Sequence, residues 1–119
     1  MKTVDEWKTT LRAALRDALR ERQKHAVAVL RETLAAIDNA ESVDASVAPP
    51  ASEGIIAGAV EGLGAGEVPR RVLSAEAVTA LVEREIQERR DAAATLAALG
   101  KHDEATALQL QVDVLVALR

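Results

Sequence analysis

The stretch Ser74-Ala75-Glu76-Ala77-Val78-Thr79-Ala80-Leu81-Val82-Glu83-Arg84-Glu85-Ile86-Gln87-Glu88-Arg89-Arg90-Asp91 decides the fold class. It continues through an alanine-rich run to Leu99-Gly100-Lys101, and a further apolar pattern follows to Arg119. Ser74 is an N-cap candidate, and Glu76 stands in the first turn, where the helix dipole favours a carboxylate. Val78, Leu81, Val82, Ile86, Ala93, Leu96 and Leu99 form an apolar stripe at helical spacing, interrupted by Arg89. Gly100 occupies the position of a C′ stop, because glycine enters the left-handed region without a Cβ clash. Lys101-His102-Asp103 then opens a last helix with Leu108, Val112, Leu115 and Leu118 on its face. Short connections join antiparallel neighbours, so the spacing predicts a hairpin of helices over 75–99 and 102–118.

The first part of the chain repeats this organisation. Thr3-Val4-Asp5-Glu6 has capping-box spacing, with Thr3 as N-cap and Glu6 reaching back. Trp7, Leu11, Leu15, Ala18 and Leu19 recur at helical spacing, with Ala14 beside them. Val27, Leu30, Leu34 and Ile37 make a second pattern, flanked by Ala26 and Thr33. Glu21-Arg22-Gln23-Lys24-His25 lies between the two and contains no Gly or Pro. A break near Gln23–His25 follows from length alone, since one helix from Thr3 to Ala40 would be unusually long for a small domain. The expected helices are 4–22 and 25–40.

Residues 42–73 have a different texture. They hold all three prolines and five of the six glycines. Pro49-Pro50 cannot be helix interior, and Gly62-Leu63-Gly64-Ala65-Gly66 reads as loop or turn. So long a connection is uncommon within one domain. Packing of Ile55, Ile56, Val60 and Leu63 would explain it, either onto the domain's own core or onto a second copy, giving a homo-oligomer. The reading over residues 1–119 is a single all-α domain. It has a four-helix arrangement of two helical hairpins joined by a long Gly/Pro-rich loop.

Composition agrees with that reading. The apolar residues are 49% of the 119, and Trp7 is the only aromatic. Ala and Leu are the best helix formers, while the aromatic strand formers are missing. There is no Cys, which removes disulfides and thiolate metal sites. The N-terminus turns acidic at once, with no apolar signal region, and no apolar run approaches the roughly 20 residues of a membrane span. A cytoplasmic protein with no membrane partner is the expectation. The net charge is −4, so the chain is not a generic nucleic-acid binder by its pI. Charge is nevertheless uneven. Residues 1–24 carry seven Lys/Arg against four Asp/Glu, and residues 25–119 carry eight against fifteen.

The basic surplus lies on the first helix. Lys8, Arg12, Arg16, Arg20 and Lys24 recur at steps of four, which aligns them on one drifting ridge. Like charges at this spacing repel by a few tenths of a kcal/mol per pair. Three readings stand: a solvated face eased by Asp17 and Glu21, a phosphate backbone, or an acidic protein partner. Arg70 and Arg71, just before the Ser74 cap, and Arg89 and Arg90 are further candidate nucleic-acid contacts. Glu83, Glu85, Glu88 and Asp91 read as an exposed charged face with internal pairs such as Glu85 with Arg89. A di-metal site in a bundle would need a Glu-x-x-His motif, which the sequence lacks. His25 and His102 each sit at a helix junction and read as exposed. The glycine run fits neither a dinucleotide fingerprint nor a P-loop. No Ser-His-Asp or Cys-His arrangement stands out. The residues therefore suggest no catalytic group, metal or cofactor.

The chain resembles the GatB/YqeY family, the YqeY-like proteins. Leu30-Arg31 through Ile37-Asp38-Asn39-Ala40-Glu41 matches the family's early-helix ending. Leu73-Ser74, Ala77-Val78, Glu85-Ile86, Arg89-Arg90-Asp91 and Gly100-Lys101 match its third helix and the following turn. The Gly62–Arg71 segment looks like the form seen in actinobacterial members. The resemblance covers most of the chain and implies a helical domain related to the tail of a tRNA-dependent amidotransferase subunit. It implies tRNA or an amidotransferase-like protein as partner. Its family label implies carbon–nitrogen ligase activity with glutamine as amido donor, which the residues do not support. The chain departs from the pattern at Leu118-Arg119, where typical members continue into a Tyr-Leu-Pro motif and a three-helix domain. It reads as a short form without that domain. The expectation is a non-catalytic binding module, with a structural homo-oligomer or an accessory part of the ligase as alternatives.

Overall fold

The computed structural model describes residues 1–42 and 71–119. They form four α-helices: α1 (Val4–Arg20), α2 (Lys24–Glu41), α3 (Ala75–Ala98) and α4 (His102–Leu118). The described residues contain no strand. The all-α, four-helix expectation is met. The expected loop lies outside the described residues except at its two ends, and with it Arg70, Ile55, Ile56, Val60 and Leu63.

Each hairpin starts with a capped helix. The Thr3 side chain accepts from the Glu6 N–H at 3.1 Å, and Glu6 Oε1 accepts from the Thr3 N–H at 2.9 Å. Ser74 Oγ accepts from the Ala77 N–H at 3.0 Å. These bonds satisfy amides that have no partner within the helix.

Each hairpin then turns by the same hydrogen-bond pattern. At the end of α1 the Gln23 N–H donates to the Ala18 carbonyl at 2.9 Å, and the Arg22 N–H donates to Leu19 at 3.2 Å. At the end of α3 the Lys101 N–H donates to Leu96 at 2.8 Å, and the Gly100 N–H donates to Ala97 at 3.0 Å. Both are Schellman motifs, closed by a residue with positive φ. That residue is Gly100 at +80° in one turn and Arg22 at +58° in the other. The break between the first two helices thus falls at Glu21–Gln23, and α1 ends at Arg20 rather than at residue 22.

The core is apolar and continuous. Trp7 and Leu11 from α1, Val29, Leu30 and Ile37 from α2, Val78, Val82 and Ile86 from α3, and Val112 and Leu115 from α4 are all buried in it. Burying each such side chain contributes roughly 1.5–3 kcal/mol. Helix α2 packs against all three others, and α1 also touches α3. Thr33 is the one fully buried polar residue of α2, and its hydroxyl donates to the Val29 carbonyl at 2.8 Å.

Burial along α1 follows angle rather than hydrophobicity. At 3.6 residues per turn, Leu11, Leu15 and Leu19 lie about 40°, 80° and 120° around the helix from Trp7. Leu11 is buried, Leu15 half-buried and Leu19 47% exposed. Leu19 therefore belongs to the outer face and not to the core stripe. Leu99, at the end of the α3 stripe, is also outside the core, 67% exposed.

Candidate functional site

The cations of α1 fall into two groups once their partners are placed. Lys8 Nζ meets Glu41 Oε1 at 2.7 Å, with side chains 19% and 8% exposed. This pair joins the start of α1 to the end of α2. Arg20 pairs with Asp17 at 2.9 Å on the open surface. Arg12 and Arg16 are exposed, and no ion pair reaches either among the described residues. Lys24 is the first residue of α2. The ridge expected to run from Lys8 to Lys24 on one helix is therefore divided by the turn at Arg22.

Arg89 is drawn inward. Its Nε donates to Gln111 Oε1 at 3.0 Å, and its Nη1 donates to the Glu85 carbonyl at 3.0 Å and to Glu85 Oε1 at 2.8 Å. Its Nη2 bonds Glu32. One guanidinium thus joins α2, α3 and α4, and its side chain is only 11% exposed. The expected Glu85–Arg89 pair is present. Its two further partners could not be seen in a sequence, because they come from other helices. Arg90 is exposed. Arg71 is exposed too, and its backbone N–H donates to the Glu41 carbonyl at 2.7 Å.

The outer side of the α1–α2 hairpin carries five cations. Arg12 and Arg16 lie within about 60° of Leu19 around α1. Across the seam, Arg22, Lys24 and Arg31 surround Leu19, Val27 and Ala28 in an open depression of about 520 Å³. Neither Asp17 nor Glu21 lines this depression. No family model, curated protein or solved structure matches this chain. The face must therefore be read from its own chemistry.

That chemistry is cationic and suits the attraction of anions. Among the described residues no group of three or more His, Asp or Glu could hold a metal ion. No described helix is long and apolar enough to cross a membrane. His25 is half-exposed and His102 is exposed, each within the first two residues of its helix. Guanidinium and ammonium groups on an open face bind anions, and Arg matches phosphate or carboxylate in two-point geometry. Sequence reading missed Arg22 and Arg31. The Lys24-Ala28-Arg31 spacing was a usable signal for Arg31. Arg22 carried none, since its placement comes from a turn that no Gly or Pro announces.

Proposed function

We propose that this chain is a non-catalytic helical binding module that contacts RNA through the outer face of the α1–α2 hairpin. The observation that carries the reading is the pair Arg12 and Arg16, exposed one helical turn apart with no acidic partner among the described residues. Lys8, Arg20 and Arg89, the other described helical candidates with partners, are engaged within the protein. The resemblance to GatB/YqeY proteins supports tRNA as the ligand and an amidotransferase system as its setting. Under this reading the chain brings no active-site group, and any ligase chemistry belongs to the partner.

Electrophoretic retardation of tRNA over a salt series tests the proposal. Binding should weaken steadily as salt rises, because each phosphate contact releases a counterion. Replacing both Arg12 and Arg16 by Ala should lower the affinity about tenfold at low salt and flatten the salt dependence. Absence of retardation at low salt, or a salt-independent complex, rejects it.

A further inference from the structure

We infer that the depression at the Arg22 corner docks an acidic amphipathic helix from a partner protein. Its lining is three cations, Arg22, Lys24 and Arg31, around three apolar residues, Leu19, Val27 and Ala28, with no acidic member. Leu19, on the outer face of α1, is 47% exposed. An apolar floor between two antiparallel helices accepts anchors spaced three and four apart on a third helix. A cationic rim then selects carboxylates on the flanks of that helix and steers its approach.

Two other occupants fit less well. Single-stranded nucleic acid binds where bases stack on aromatic rings. The only aromatic residue here is Trp7, and it is 3% exposed. Stable membrane attachment needs a broad apolar face beneath the charges, and this depression offers one open leucine and two half-buried small or branched residues.

The backbone at Arg22 sets a residue type apart from the turn's own preference. A non-glycine residue in the left-handed region costs about 1 kcal/mol. Gly100 makes the equivalent turn of the second hairpin without that cost. Arg22 therefore brings a guanidinium to the depression at a turn whose backbone would favour glycine. The inference does not rest on the RNA reading, because Arg12 and Arg16 are not part of the lining.

The test uses the full chain and a fluorescein-labelled 18-residue helical peptide. The peptide carries Leu at three-and-four spacing and Glu on both flanks. Fluorescence anisotropy should show saturable binding that weakens with salt. Leu19→Asp should reduce affinity at least about tenfold, with helicity checked by circular dichroism. Arg22→Gly should reduce it about fivefold while raising the melting temperature, whereas a purely structural role would change only the latter. Arg12→Ala/Arg16→Ala should lower tRNA affinity about tenfold and peptide affinity by less than Arg22→Gly does, which separates the two readings. No saturable binding, equal binding of a peptide with Lys in place of Glu, or indifference to both Leu19→Asp and Arg22→Gly overturns the inference. Loss of tRNA retardation in the uncharged variant Leu19→Ser also overturns it, by assigning the depression to nucleic acid.

Discussion

The two hairpin turns are built alike and filled differently. In both, a capped helix ends in a Schellman motif, and the next helix starts without a side-chain cap, at Gln23 or at Lys101. The second turn uses Gly100, and nothing lies within 4 Å of where its Cβ would sit. Backbone conformation alone makes glycine the best residue there. The first turn meets the same demand with Arg22. The comparison separates what the fold requires, a residue with positive φ, from what one turn adds, a positive charge at the rim of an open depression.

The largest effect should come from the group that fastens one hairpin to the other. Arg89→Ala removes one guanidinium from Glu32, Glu85 and Gln111 and leaves Glu85 largely buried without its cation. The expected loss is about 3 kcal/mol in urea unfolding. A loss below about 1 kcal/mol would show that the hairpins hold together by apolar packing alone. Lys8→Ala, which tests the closure of the first hairpin, should cost about 2 kcal/mol by stranding Glu41. Combining Lys8→Met with Glu41→Leu should recover most of that, and failure to recover would assign the pair a role beyond charge balance.

The turn residues themselves give smaller and opposite effects. Gly100→Ala should destabilise by about 1 kcal/mol, since alanine gains a clash in the left-handed region and no new contact. Arg22→Gly should stabilise by about 0.5 kcal/mol, because relief of that clash is partly offset by a more flexible unfolded chain. If thermal melts show both changes destabilising, Arg22 makes a stabilising contact and the two turns are not equivalent.

Much of this frame could be read in the sequence, for definable reasons. Thr3 with Glu6, Ser74 and Gly100 each act within a few residues, so local chemistry specifies them. The stop near Gln23 followed only from length. Its residue was invisible because a cost of about 1 kcal/mol is readily outweighed by the apolar area that two packed helices bury. Leu19 was misplaced because a stripe stepping by four drifts about 40° each time. The binding face was only partly legible. A charge series shows which cations share a bearing, while pairing with Glu41 or Glu32 depends on contacts far apart in sequence.

The hydrogen bond from the Arg71 N–H to the Glu41 carbonyl makes a junction between the two hairpins. The described chain leaves the helical frame and rejoins it at one point. Loop closure costs only about 0.6 kcal/mol for each doubling of length. Ser42 and Arg71 are thus the two sides of one junction in the described frame. That bond holds the two described ends together at the junction.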